Sequence, residues 1–140
     1  MRDRELLVSN MVFDINFCIK FYVHFEQDGK EYFVYELCKG GDLTEFKNKQ
    51  PKNRFTEVTA KVFIEQISHS INEMHKLRIV HRDIKTDNIF MTDLIYPQCR
   101  TGDYGTARVV DENNNFVPEK NENINQTVAG SGYYMSPEMI

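Results

Sequence analysis

No apolar run in this chain is long enough to cross a bilayer as a helix, which argues against a membrane-spanning protein. Blocks of like charge are also missing, and no basic patch stands out against a net charge of −4 over 140 residues. That removes the usual sign of a nucleic-acid partner and of a charged binding tail. The opening residues, Met1-Arg2-Asp3-Arg4-Glu5, carry no signal-peptide pattern. Cysteine is scarce: Cys18, Cys38 and Cys99 show no metal-ligand spacing, and an odd number favours reduced thiols in an intracellular setting, cytoplasmic or nuclear. The sequon Asn125-Gln126-Thr127 has no secretory signal to give it meaning. No internal repeat is found.

What is present suffices for one domain with one core: 41% of the residues are hydrophobic. Residues 2–12 read as the end of a helix. Asn16 to Glu26, rich in Phe, Tyr, Ile and Val, reads as a strand, Asp28-Gly29 as a hairpin turn and Glu31 to Leu37 as its partner. Gly40-Gly41 breaks the chain, and Asp42 can cap a short helix from Leu43 to Lys47. Gln50-Pro51-Lys52-Asn53 is a loop. Thr56 and Thr59 open the strongest helix, where Val58, Val62, Phe63, Ile67, Ile71 and Met74 recur at helical spacing to about Leu77. Ile89-Phe90-Met91 and Arg100-Thr101 read as short strands around a turn at Pro97. Asp111 to Gln126, rich in Asn, Asp and Glu without periodicity, reads as a mobile loop. Without an alternating strand–helix rhythm the class is α+β.

Three short motifs then appear in a telling order. His81-Arg82-Asp83-Ile84-Lys85-Thr86-Asp87-Asn88 reads H-R-D-I-K-x-x-N, Asp103-Tyr104-Gly105 follows, and Ser136-Pro137-Glu138 comes last. This series resembles the catalytic loop, metal-binding tripeptide and closing tripeptide of the eukaryotic protein kinases, here of the serine/threonine type because of Lys85. The long amphipathic helix before the loop and the apolar strand after it fit that resemblance.

The resemblance implies roles. Asp83 would accept or orient the proton of an incoming hydroxyl, and Lys85 would neutralise charge on the phosphoryl group. Asn88 and Asp103 would offer oxygens to Mg²⁺, a hard cation. His81 reads as a packing histidine, and Asp87 as a brace of the loop. The ending Thr127 to Glu138 resembles the family's T-x-x-G-T-x-x-Y-M-(A/S)-P-E, which implies Thr127 as the activating phosphosite, and a phosphate there would pair with Arg82. Ser131 stands where the family has a threonine that contacts the groups corresponding to Asp83 and Lys85. Tyr104 replaces the usual Phe, so its hydroxyl needs a partner if buried. Thr86 replaces the usual proline.

On the nucleotide side, Tyr32 to Asp42 resembles the strand and hinge that hold adenine. Backbone groups of Glu36 and Cys38 would meet the ring edge, Tyr35 would be the gatekeeper and Asp42 could reach the ribose, although Asp42 reads equally well as a helix cap. ATP, Mg²⁺ and a protein substrate are thus the implied ligands, with no nucleic acid and no membrane.

Two elements of the family are not found. No G-x-G-x-x-G loop precedes the hinge, and no V-A-I-K lysine is present. Glu5 is the best counterpart of the helical glutamate that pairs with that lysine, and its distance from Ile19-Lys20 is one residue longer than usual. The expected architecture is a partial kinase-like domain: a small-lobe remnant over residues 1–37, then hinge, catalytic loop and activation segment over residues 38–140. Alone, such a chain is expected to leave apolar surface in water, to be poorly stable and to lack kinase activity. The alternative is a catalytically inert kinase-like fragment that serves as a binding or regulatory module.

Overall fold

The computed structural model describes residues 2–117, 131–135 and 137. The first helix, α1 (Arg2–Val12), buries Val8, Ser9 and Val12. The chain then turns before its first strand. Ile15 N–H bonds to Val12 O (3.0 Å), Cys18 N–H bonds to Ile15 O (3.2 Å), and Phe17 sits in the left-handed region at φ 64°. The strand read from Asn16 therefore begins only at β1 (Phe21–Gln27). The error came from composition: Ile15, Cys18 and Ile19 are apolar because they pack in the core with Val8 and Val12 of α1, and the Phe17 ring meets His69 edge-on at 5.6 Å.

β1 pairs antiparallel with β2 (Lys30–Tyr35) across the Asp28-Gly29 turn, with a bulge between Phe21 and Val23. β2 ends two residues before the expected Leu37. The two-residue β3 (Gly41–Asp42) then leads into α2 (Leu43–Asn48), where Asp42 caps as expected: its carboxylate accepts Glu45 N–H at 2.8 Å. Gly40 is required by a close approach, since a Cβ there would meet Met91 Cβ at 2.5 Å.

α3 (Glu57–Lys76) starts at its predicted cap, Thr56, whose hydroxyl accepts Thr59 N–H at 3.2 Å. The buried face keeps most of the expected stripe, with Ile67 packed against the core beside Phe63, and loses its first members. Phe63, Ser70 and Met74 are buried, whereas Val58 (75% exposed) and Val62 (42%) face outward. Ser70 is tolerated inside because its hydroxyl bonds to Ile67 O (2.8 Å) and to the Thr101 hydroxyl (2.7 Å). An apolar count along the helix cannot see that a serine has a buried partner waiting on another strand.

After α3 come β4 (Ile79–Val80), the catalytic-loop segment, β5 (Ile89–Met91), β6 (Cys99–Thr101) and β7 (Arg108–Val109). β3, β5 and β6 form one antiparallel sheet, and β4 pairs with β7. Two cores result. Val8, Val12, Cys18, Ile19, Met74, Ile79, Tyr104 and Ala107 join α1, α3 and the Asp103-Tyr104-Gly105 turn. Leu43, Phe46, Phe63, Ile89, Met91 and Cys99 join α2, α3 and the three-stranded sheet. Both cores include α3, and the catalytic loop runs between them.

Part of the expected mobile loop is ordered. The Asp111 carboxylate accepts the N–H groups of Asn113 and Asn115 at 2.8 Å each, and Val117 N–H returns to Val109 O at 3.1 Å, closing a tight hairpin over residues 109–117. Asn and Asp read as disorder here, but they are residues whose side chains build turns. The rest of that segment, with the expected phosphosite Thr127 and the residues Ser136 and Glu138, lies outside the described residues.

Candidate active site

The catalytic loop is fixed at its root by His81. This ring is 3% exposed; Nε2 lies 2.9 Å from Gly102 O and Nδ1 accepts Asp83 N–H at 3.3 Å. The two bonds define one neutral tautomer, with the proton on Nε2. Burial pushes its pKa below the ordinary 6.5, against the pull of the Gly102 carbonyl and of Asp103 and Asp83. The ring also meets Tyr104 edge-on, with centroids 5.8 Å apart. His81 is thus a packing group, as its place in the sequence suggested.

Arg82 follows in the left-handed region at φ 67°, an uncommon conformation for a residue with a long side chain. It is held by Arg82 Nε donating to Thr106 O at 2.8 Å, and by the Thr106 hydroxyl donating to His81 O at 3.1 Å. The guanidinium also lies 5.4 Å from the centre of the Phe116 ring, a cation–π contact.

Asp83 is the hub. Its Oδ2 accepts Lys85 Nζ at 2.7 Å and Asn88 Nδ2 at 3.0 Å, and its Oδ1 accepts the backbone N–H of Ser131 at 2.8 Å. Asn88 Nδ2 also reaches Asp83 O at 2.9 Å, and Lys85 Nζ donates to the Ser131 hydroxyl at 2.8 Å. Burial alone would raise the pKa of Asp83, but the contacts from Lys85, Ser131 and Asn88 outweigh it and hold the carboxyl below its ordinary value. Lys85 is shifted upward, first by its bond to Asp83. Both groups are therefore charged at neutral pH. Four residues proposed from sequence, Asp83, Lys85, Asn88 and Ser131, meet in one cluster, and Ser131 reaches it from 46 residues beyond Lys85.

Asp103 is exposed and also left-handed, at φ 59°. Gly102 N–H bonds to Asn88 O at 3.0 Å, so Asp103 stands one residue beyond a backbone link to Asn88. Gly102 is needed for this approach: a Cβ would meet the Phe90 ring at 2.8 Å. Tyr104, fully buried, finds the partner it needs, donating its hydroxyl to Thr101 O at 2.7 Å. Asn88 directs its amide nitrogen to Asp83, which leaves the amide oxygen as the atom to offer a cation. Among the described residues no group of three or more His, Cys, Asp or Glu side chains could hold a metal ion. A cation beside Asn88 and Asp103 would thus depend on two side-chain oxygens and on oxygens brought by a ligand, an arrangement typical of Mg²⁺ with phosphates.

The residues expected to form the hinge are held by their own contacts. The Glu36 carboxylate accepts Lys20 N–H and Arg100 Nε, each at 2.9 Å, and Glu36 N–H donates to Lys20 O at 2.8 Å. Its side chain is thus structural, and only its carbonyl remains for a ligand edge. Cys38 is half-buried, and burial pushes its thiol up to about 11. Lys39 N–H and Gly40 N–H bond to Thr92 O (3.1 Å) and Met91 O (2.9 Å), which ties the hinge to β5. Asp42 acts as the helix cap, one oxygen committed to Glu45 N–H. Tyr35 bonds through its hydroxyl to Ser9 Oγ (3.0 Å) and to Glu5 Oε1 (3.1 Å), so the expected gatekeeper and the expected helical glutamate touch each other. Burial first, then Glu5, pushes the Tyr35 pKa up to about 12, against the bond from Ser9. Sequence reasoning did not find Ser9, and nothing local to it signals the contact.

Comparison with known families places the chain as a whole. The protein kinase domain model matches residues 3–140. The chain belongs to the protein kinase family. It is similar to the serine/threonine-protein kinases Nek5 and Nek3 of Mus musculus, at 34% and 35% identity over 121 residues, and to the serine/threonine-protein kinase polo of Drosophila melanogaster, at 30% over 122 residues. These alignments cover 86%, 86% and 87% of this chain but only 18%, 22% and 19% of the relatives, so the chain spans about a fifth of their length. The α+β architecture and the serine/threonine kinase resemblance therefore stand. Among the described residues no helix is long and apolar enough to cross a membrane.

Proposed function

We propose that this chain carries the hinge, catalytic loop and activation segment of a serine/threonine protein kinase, over residues 38–140, beside a small-lobe remnant over residues 1–37. The protein of which it is part transfers the γ-phosphoryl group of ATP to protein Ser or Thr hydroxyls. The observation that carries this reading is the Asp83–Lys85–Asn88–Ser131 cluster. A carboxylate, an ammonium and an amide drawn together at the end of a buried loop are needed by no packing requirement, yet they suit phosphoryl transfer, which depends on positioning and charge neutralisation.

Each group has a defined task. Asp83 is kept ionised, and its Oδ1 has a lone pair beyond the one taken by Ser131 N–H, which can receive and orient the hydroxyl of the acceptor. Because its pKa is held low, Asp83 acts mainly by orientation and takes the proton late, when the hydroxyl has become acidic. Lys85 places a positive charge beside the acceptor and is kept in line by Ser131. Asn88 and Asp103 would hold Mg²⁺, whose chemistry is to neutralise the phosphate oxygens as charge builds on them. The carbonyl of Glu36 and the backbone of Cys38 would meet the adenine edge, and the free oxygen of Asp42 the ribose. Arg82 and Thr127 form the regulatory pair in this reading. Three free thiols accord with an intracellular, reducing setting.

The test is phosphorylation of a Ser/Thr peptide library by the full-length native product with Mg²⁺-ATP. Incorporation that is lost in Asp83→Ala supports the reading. Equal incorporation in both proteins would refute it. A second reading is an inert kinase-like fragment that serves as a binding or regulatory module. Mg²⁺-dependent nucleotide binding by the full-length product separates the two, since an inert module need not bind nucleotide.

A further inference from the structure

Thr86 stands where the resembling kinases usually carry proline, a residue with neither a hydroxyl nor an N–H. In this chain its hydroxyl is a junction. Thr44 of α2 donates to Thr86 Oγ1 at 2.7 Å, and Thr86 Oγ1 lies 3.2 Å from the hydroxyl of Tyr134. A hydroxyl can donate one hydrogen bond and accept two, so both contacts can be satisfied together. Three segments far apart in sequence thus meet at one oxygen: α2, the turn Thr86–Asn88 and the turn Gly132–Tyr134.

This junction bears on the site through the second turn. Tyr134 N–H bonds to Ser131 O at 2.8 Å, so Ser131 and Tyr134 are the two ends of one compact unit. Ser131 is bound by Asp83 and Lys85; Tyr134 is bound by Thr86, the residue directly after Lys85. A unit held at one end can swivel, whereas one held at both ends has a fixed orientation. Between the two ends, Tyr133 is fully exposed.

We propose that Thr86 is a positioning residue for phosphoryl transfer: its hydroxyl, bonded to Thr44 and Tyr134, fixes the turn Gly132–Tyr134 against the catalytic loop and so aligns the acceptor peptide with Asp83. The kinetic part of this inference rests on the kinase reading above. The structural part does not, and the experiment separates them.

In the full-length protein, Thr86→Val keeps the shape and removes the hydroxyl. Loss of a hydrogen bond worth a net 0.5–1.5 kcal/mol corresponds to about two- to tenfold. Hydrogen exchange of the amides of residues 132–135 should quicken by that factor in Thr86→Val, with α3 unchanged, and Thr86→Ser should restore it. In peptide phosphorylation the same variant should raise KM for the peptide by a similar factor and leave KM for ATP within about twofold. Tyr134→Phe removes only the Tyr134 contact and should shift exchange and peptide KM in the same direction by no more than Thr86→Val does, and the double variant should be no worse than Thr86→Val, as expected for partners in one bond. Unchanged exchange in Thr86→Val, failure of Thr86→Ser to restore it, or an equal rise in both KM values would overturn the proposal. If wild type has no kinase activity but exchange responds as stated, the kinase reading fails and the positioning contact stands; the reverse pattern sinks the contact alone.

Discussion

The β1–β2 hairpin and the catalytic loop make contacts of different kinds. The hairpin is held by its own register, from Phe21 against Tyr35 to Gln27 against Lys30, and by neighbouring rings such as Phe25 and Tyr32, stacked at 5.0 Å. It leaves Tyr22 largely in water and Val23, Phe25, Tyr32 and Val34 partly so. In the loop, by contrast, Asp83, Asn88 and His81 are buried, and their bonds reach to Gly102 and Ser131. The hairpin tolerates change because few of its side chains depend on a distant partner. The loop does not, because each buried polar group there needs its partner and that partner lies elsewhere in the sequence.

The largest test of this contrast is Asp83→Ala, which should lower peptide phosphorylation by the full-length protein by about 10²-fold or more, measured as kcat at saturating peptide. Next is the pH dependence of stability. His81 has a folded pKa below its unfolded value near 6.5. Its contribution is therefore present above pH 6.5 and is lost as pH falls toward the folded pKa, because the unfolded chain takes up the proton more readily. The urea midpoint should drop between pH 7 and pH 5, and His81→Asn should flatten that drop. A midpoint equally steep in the variant would show that other groups dominate.

Tyr104→Phe restores the usual family residue but removes a buried hydrogen bond. Thr101 O keeps its other donor, Ile19 N–H at 2.9 Å, so the cost should be about 1 kcal/mol by chemical denaturation, with phosphorylation retained. The smallest effect belongs to the hairpin. Tyr22, 62% exposed, should be replaceable by Thr at under about 0.5 kcal/mol, and a larger loss would mean that the hairpin is covered in the full-length protein.

Legibility followed the same divide. Asp42 and Thr56 were readable as caps because a cap needs only a few residues of local context. The loop from His81 to Asn88 was readable because its residue pattern resembles that of the family to which the chain belongs. Val58 and Val62 misled because their spacing fits a helix face as well as Phe63 and Met74 do, and only the position of β6 decides which flank is covered. Tyr35 with Glu5, Ser70 with Thr101 and Thr86 with Tyr134 were beyond reach, since each is a contact between residues that are not neighbours in the chain.

By itself the sequence determined the family, the first hairpin, the main helices and their capped starts. Those properties depend on residue type and short spacing. The tertiary structure alone decided which way α3 faces, that residues 109–117 close a hairpin, that Asp83 has both oxygens engaged, and that a threonine in place of proline joins three segments at one hydroxyl. The physical reason is that hydrogen bonding and burial are settled between groups brought together by packing, and a single chain position carries no record of the partner it will meet.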